Sequence, residues 1–342
     1  MSELIAEQVQ KDVARALEED LIAPSWGATP PPQPSPLKEE GANAALRAPG
    51  ATAAPPSPLS PHGGNPPPLT GERATVALRA PTAINDLTAL LIPAAHTAHA
   101  HVITRESAVI AGRPWFDACF RTLDPQCRID WKVNEGDAVA ADTVLVAISG
   151  KARALLTAER PSLNFLQTLS AVASATRPYV DAVRGTQVAI LDTRKTLPGL
   201  RIAEKYAVRV GGGMNQRTGL YDGILIKENH IAAAGGIGPV LEAAFRLADG
   251  KVSVQIEVET LGQLTEAIAA GAKLILLDNF SLADMRHAVQ IAHGRALLEA
   301  SGNITLDNVR AVAETGVDRI SIGALTKHIR AVDLSMRIRT DA

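Results

Sequence analysis

Aromatic residues are scarce in this chain: three Trp, three Tyr and five Phe among 342 residues, or 3%. Proteins that grip single-stranded nucleic acid stack bases on aromatic faces beside a basic groove, so such a partner is not expected. An excess of one charge sign is also missing. Thirty-four Lys and Arg against 36 Asp and Glu leave a formal charge of -2 and a pI near 6.5. That balance gives no general pull toward DNA or a membrane surface. Cysteine is nearly absent, and Cys119 and Cys127 lack the spacing of a metal site or a redox pair. Both read as reduced, buried thiols, which points to a cytoplasmic protein. No apolar run approaches the length that spans a bilayer. The charged start, Met1 to Asp20, reads as an amphipathic helix and not as a signal peptide.

What is present is enough apolar material, 46%, for a substantial core in one large domain or two ordinary ones. One segment stands apart. Fifteen of the 22 prolines lie between Pro24 and Pro81, among Ser, Thr, Ala and Gly, with almost no large apolar residues. Such a stretch cannot bury enough surface to offset its ordering entropy, so disorder or partial polyproline is expected. It repeats itself: Ala45 to Pro49 returns at Ala77 to Pro81, and Pro34 to Leu37 at Pro56 to Leu59. An insertion at 24–81, built from a duplicated element, accounts for both features. It separates a first helix at 1–22 from the rest.

From 83 to 157 the pattern is mixed. A short helix near Leu87 to Ile92 precedes strands at Ala100–Thr104, Arg128–Val133 and Thr143–Ser149, an alternation expected of a sheet with one face covered by helices. His96, His99 and His101 are close, the last two on one strand face, but no Asp or Cys completes a metal set. From 158 to 333 the rhythm changes to alternating helices and strands. A long helix, Glu159 to about Val183, leads to strands at Gln187–Leu191, Gly223–Ile226, Ser253–Ile256, Leu274–Leu277, Ala296–Leu298 and Arg319–Ile322. Alternation of this kind implies a parallel sheet with right-handed crossovers. The length is short for eight strands, so the fold class is α/β, with a partial barrel of six or seven strands.

Charge is concentrated in one place. Arg194, Lys195, Arg201, Lys205, Arg209 and Arg217 lie within 24 residues that hold one acid, Glu204. Cations gathered around glycine-rich turns suit a ligand with several phosphates or carboxylates. Lys205 and Arg209, four apart on one helix, read instead as solvated charges. Polar residues also follow each strand of the second region: Asp192, Arg194 and Lys195; Lys227 to His230; Glu257; Asp278 and Asn279; Glu299 with Ser301 and Gly302; Gly323 and Ala324. In a barrel these positions share the C-terminal mouth, where active sites form. Ser301, Gly302 and Asn303, before a helix expected near Thr305, together with Gly323 and Ala324 read as a phosphate cradle. Glu257 and Asp278 suit Mg²⁺, ribose hydroxyls or a developing positive charge. The bland alternative is that these two acids only pair with neighbouring cations. Lys195 and Lys227 suit a departing pyrophosphate, and Arg194, Arg201 and Arg217 suit carboxylates. Lys227 also fits a Schiff-base role, as in an aldolase.

These stretches resemble the quinolinate phosphoribosyltransferase family, also called nicotinate-nucleotide pyrophosphorylase (carboxylating). The likeness runs through Glu159-Arg160, Leu163 to Gln167, Asp192 to Arg201, Glu204 to Val208 and Gly211 to Gly213. It continues through Leu225 to His230, Ile256 to Glu259, Leu277 to Asn279, Glu299 to Gly302 and Gly316 to Leu325. Several long motifs in order are far more specific than any one of them. The resemblance implies a pentosyl-class glycosyltransferase of NAD biosynthesis. It converts quinolinate and phosphoribosyl pyrophosphate to nicotinate mononucleotide, pyrophosphate and CO₂, with Mg²⁺. It also implies an N-terminal open α/β sandwich beside the partial barrel, with residues 334–342 returning to the sandwich. A homodimer or higher oligomer is implied too, with Arg160 reaching into the neighbouring subunit's site. The implied catalytic set is Lys195, Lys227, Glu257 and Asp278. Substrate binding falls to these with Arg160, Thr193, Arg194, Arg201, Gln216, Arg217, Ser301, Gly302, Asn303, Gly323 and Ala324. Glu257 and Asp278 are the implied Mg²⁺ ligands, directly or through substrate or water.

Two residues depart from the family pattern. Gln216 stands where many relatives have His, and Gln255 where many have an acid. Gln216 can still donate to a carboxylate but brings no charge and no titratable proton. The competing reading is a related phosphoribosyltransferase-like protein of different substrate. The number of arginines weighs against it, because one carboxylate needs fewer cations.

Overall fold

The computed structural model describes residues 2–21 and 86–340. Helix α1 (Ser2–Leu21) carries Val9, Val13, Leu17 and Leu21 four residues apart, and all four are buried, with α1 packed on helices α2 and α4. Asp12 interrupts that apolar stripe and accepts the indole N–H of Trp115 at 2.9 Å. The proline-rich stretch at 24–81 lies outside the described residues.

The next elements are β1 (Thr97–Thr104), β2 (Ala108–Val109), α2 (Arg113–Leu123), β3 (Arg128–Trp131), β4 (Ala138–Val139) and β5 (Val144–Lys151). A single 3₁₀ turn at Ala89–Leu91 stands where a short helix was expected. Ala98, Ala100, Val102 and Thr104 of β1 are buried, while Thr97 and His99 in the opposite phase are exposed. This period of two turns one face of β1 into the core, and Phe116 of α2 meets Trp131 of β3 with ring centroids 5.1 Å apart. The last strand of the chain, β12 (Leu334–Thr340), pairs antiparallel with β1, so the sheet runs β12-β1-β5-β3. Helix α3 (Ala152–Ala182) follows β5 directly and packs on α2 and α4.

Beyond α3 come β6 (Ala189–Leu191), α4 (Arg201–Val210), β7 (Gly223–Ile226), α5 (Glu228–Ala234), α6 (Ile237–Ala248) and β8 (Ser253–Val258). Then follow α7 (Leu261–Ala269), β9 (Leu274–Asp278), α8 (Leu282–Ala292), β10 (Leu297–Ser301), α9 (Val309–Ala313), β11 (Arg319–Ser321) and α10 (Ala324–Lys327). The strands form one parallel sheet of six, in the order β6-β11-β10-β9-β8-β7. The first strand pairs with the last, which is the cyclic order of a barrel left open between β6 and β7. Only an isolated bridge from Leu191 to Met214 lies on that side. The α/β partial barrel therefore has six strands.

Alternation within the strands divides core from cavity. Ile256 and Val258 of β8, and Ile275 and Leu277 of β9, are fully buried. Their neighbours Glu257 and Leu276, with Glu299 and Ser301 of β10, line the barrel interior. Glu257, Glu299 and Ser301, expected just beyond strand ends, thus lie within β8 and β10, with Ser301 closing β10. The helix expected near Thr305 begins only at Val309. The Asn308 side chain accepts the Thr305 N–H at 2.9 Å and donates to the Asn303 carbonyl at 3.1 Å, which holds a turn there.

Candidate active site

The site is built outward from Asp192, the residue after β6. It is fully buried, and its carboxylate accepts from Lys205 Nζ, from Asn215 Nδ2 at 2.6 Å and from the Gln216 N–H at 2.8 Å. Burial pushes Asp192 up and Lys205 down in pKa, and each charge opposes the other's penalty. Lys205 is therefore not the solvated charge that its helix spacing suggests, whereas Arg209 is exposed. The pair pins two loops, 193–200 and 214–218, to one point.

Those loops carry the cations. Thr193, Arg194, Lys195, Gln216, Arg217 and Lys227 share a cavity of about 170 Å³ with the interior residues of the barrel. Arg194 Nε is buried without a hydrogen-bond partner. Burial, and then the charge of Arg194, make Arg217 hold its proton less strongly than usual. Among the described residues neither guanidinium is in an ion pair. Two like charges held together with neither in an ion pair suit an anion, although Asp222 offsets part of the Arg217 charge. Lys227 Nζ lies 3.1 Å from Glu257 Oε2. Lys195 is fixed through its backbone: its N–H meets Thr193 Oγ1 at 3.1 Å and its carbonyl accepts from Thr326 Oγ1 at 2.7 Å. A Cβ on Gly323 would sit 3.0 Å from Lys195 Cδ, so glycine leaves the lysine its place.

Other expected residues lie around this cavity and not in its wall. Arg201 donates to Thr196 Oγ1 at 3.1 Å, to the Thr218 carbonyl at 3.2 Å and to the Arg194 carbonyl at 3.4 Å, bracing both loops. Asp278 ends β9 and accepts from Asn279 Nδ2 at 2.9 Å. Gly302 has φ +100°, and an added Cβ would approach Asn279 Oδ1 to 2.1 Å. Asn303 donates to the same oxygen at 3.2 Å. The backbone of Ser301, Gly302 and Asn303 thus lies over Asn279, without a helix behind it. Ala324 opens the four-residue α10, and Arg160 is exposed on α3. No group of three or more His, Cys, Asp or Glu able to hold a metal occurs among the described residues, the histidines of β1 included.

Gln216 differs from its expected use. One amide N–H goes to Gln255 Oε1 at 2.8 Å and the other to the Glu299 carboxylate at 3.0 Å, so both are already taken. Glu299 was read only as a polar residue at the barrel mouth and Gln255 only as a departure from the family pattern; neither was in the implied binding or catalytic set. The inward phase of β8 and β10, read as alternation, was the signal that marked them.

Fold and site together define an α/β barrel with a cation-rich cavity at the C-terminal mouth of its strands. Residues 86–170 match the model for the N-terminal domain of quinolinate phosphoribosyl transferase, and residues 172–337 match that for its C-terminal domain. The nicotinate-nucleotide pyrophosphorylase (carboxylating) of Mycobacterium leprae is 42% identical over 257 residues, 73% of this chain and 89% of its own. A mitochondrial quinolinate phosphoribosyltransferase (decarboxylating) of Nicotiana tabacum is 37% identical over 268 residues, 73% of this chain and 76% of its own. The solved nicotinate-nucleotide pyrophosphorylase of Francisella tularensis superposes with TM-score 0.70 at 44% identity, over 74% of this chain and 90% of that one. The chain belongs to the quinolinate phosphoribosyltransferase family.

Proposed function

We propose that the protein transfers the phosphoribosyl group of phosphoribosyl pyrophosphate to quinolinate with decarboxylation, the reaction of its family in de novo NAD biosynthesis. The observation that carries this reading is the Arg194–Arg217 pair, two guanidinium groups at one cavity with no ion-pair partner among the described residues, while Glu257 there is paired with Lys227 and Glu299 is bonded to amides. Quinolinate brings two carboxylates, and Arg194, Arg217, Lys227 and Thr193 are positioned to receive them. Its ring nitrogen then forms a bond to the anomeric carbon as the bond from that carbon to pyrophosphate breaks. Lys195 offsets charge on the departing pyrophosphate, with backbone N–H groups of Ser301, Gly302, Asn303, Gly323 and Ala324 around the phosphates. Glu257 and Asp278 face the oxocarbenium-like sugar and its hydroxyls. The new pyridinium withdraws electrons from the neighbouring C–COO⁻ bond. CO₂ departs, and the ring carbon takes a proton.

Glu257 and Asp278 are two carboxylates, the number with which proteins usually hold Mg²⁺ already carried by substrate phosphates. When bound, that ion neutralises the pyrophosphate leaving group. Lys227 Nζ is engaged by Glu257 at 3.1 Å, a contact that favours its electrostatic role over a Schiff-base one. A homodimer in which Arg160 of a second copy completes the carboxylate site fits its exposure on α3. Cys119 and Cys127 are free and buried, in keeping with a reducing compartment such as the cytoplasm. No single helix among the described residues is long and apolar enough to cross a membrane.

Incubation with quinolinate, phosphoribosyl pyrophosphate and Mg²⁺ is expected to yield nicotinate mononucleotide, pyrophosphate and CO₂. Consumption of neither substrate would falsify the reading.

A further inference from the structure

The open side of the barrel raises a physical problem. Arg217 sits on the 214–218 segment between β6 and β7, where no strand ladder runs; Asp192 and Lys205 pin Gln216, Arg201 braces Thr218, and Arg217 Nη1 donates to the Gly223 carbonyl at 3.0 Å. Its neighbour in the cavity, Arg194, carries the same charge and pushes it away. Those bonds leave the backbone N–H of Arg217 itself still to be held before any anion arrives.

A chain of buried hydrogen bonds holds it. Glu299 of β10 is 1% exposed and Gln255 of β8 is 6% exposed. Gln255 Nε2 donates to Glu299 Oε2 at 2.9 Å. Gln216 Nε2 donates to both carboxylate oxygens of Glu299 at 3.0 Å and to Gln255 Oε1 at 2.8 Å. Gln216 Oε1 is thereby turned the other way and accepts the backbone N–H of Arg217 at 2.9 Å. Flipping the Gln216 amide would set its oxygen against the Glu299 carboxylate, so only this orientation is satisfied. The network spans the gap from β8 and β10 to the loop opposite, and replaces the strand pairing that the barrel lacks. Glu299 has no ion-pair partner among the described residues; amide donors compensate its charge. Fully satisfied buried networks of this kind fix one arrangement at the expense of others.

We infer that Glu299, together with Gln255, is a positioning residue for quinolinate binding, acting through Gln216 on the placement of Arg217. This rests on the reading of the cavity as the quinolinate site. Arg217 grips a carboxylate that is present before and during the reaction, so losing its placement weakens both states alike. The expected signature is therefore in KM and not in kcat.

The experiment is steady-state kinetics of the full chain carrying Glu299→Gln, which keeps the shape and removes the charge that collects the amide donors. KM for quinolinate is expected to rise about tenfold, with kcat and the KM for phosphoribosyl pyrophosphate each within about threefold of wild type. General loosening of the fold would instead raise both KM values and lower kcat. Gln216→Met breaks the same link from its other end and should show the same split, which covers the case in which Glu299→Gln does not fold. In the Gln216→Met background, Glu299→Gln should add less than about twofold, because both act on one coupled unit. An unchanged quinolinate KM in the single variants, or full additivity in the double one, overturns the inference. Wild-type protein that neither binds nor consumes quinolinate overturns the functional reading beneath it, a different result from wild-type turnover with unmoved variants.

Discussion

Glu204 shows how a single buried group can set a pH dependence. It is fully buried on α4, one carboxylate oxygen accepts the Leu197 N–H at 3.2 Å, and the other has no partner. Burial raises its pKa from 4.5 to about 7, against smaller lowering by that N–H and by Arg201. A carboxyl that binds its proton more tightly when folded lends stability that is complete below its unfolded pKa and lost as pH rises through the folded one. The contribution of Glu204 is thus present below about pH 4.5 and declines toward pH 7. Glu204→Gln keeps an oxygen for Leu197 and cannot ionise. Its Tm, measured from pH 5 to 8, should fall less with rising pH than that of wild type; parallel curves would remove Glu204 as the cause. The same scale explains what local pattern conceals. Lys205 and Arg209 share a helix face and read alike, yet only Lys205 faces Asp192, which arrives from β6. Local spacing identifies a face, but the partner across it comes from elsewhere in the chain.

At the scale of elements, strand order and helix rhythm were legible because buried strands are short apolar runs. Gly223–Ile226 coincides with its expected bounds. Strand ends were harder to read. Glu257, Glu299 and Ser301 are polar and were assigned to loops, although a barrel interior admits polar residues in its inward phase. The Ser301–Asn303 loop was recognised, but its support was not: it rests on Asn279 and Asn308, not on a helix N-terminus. Gly302 is the vulnerable position in it. Gly302→Ala places a side chain at φ +100° and against Asn279. A cost of about 1–3 kcal/mol in stability is expected from such strain. Because the displaced backbone would surround phosphate, KM for phosphoribosyl pyrophosphate should rise more than KM for quinolinate. Equal changes in the two would separate this loop from the phosphates.

At the scale of the whole molecule, two expectations concern what lies beyond one described chain. Residues 26–80 fall between the first helix and the matched region, which starts at residue 86. Deleting them should leave turnover unchanged, and loss of activity or of assembly would give the segment a role. The proposed homodimer has a sharper test, since Arg160 and Lys195 would then serve different sites. Arg160→Ala and Lys195→Ala proteins should each be nearly inactive. Mixed and reassembled, they should recover about a quarter of wild-type turnover, because half the dimers are hybrid and each hybrid has one intact site. No recovery on mixing would place Arg160 in its own subunit's chemistry or in none.

The chain alone determined the order of elements, the family and most of the cations, because these are written in local runs: apolar strands, glycine turns and consecutive motif residues. Tertiary structure alone decided which polar residues face inward, which charges are paired and which are left facing each other. Gln216 is the clearest case. By type it could donate to a substrate, but Glu299 and Gln255, brought from two other strands, use both of its protons first. Hydrogen bonds and ion pairs act over a few ångströms, and residues that distant in sequence are brought within that range only by the tertiary packing of the barrel.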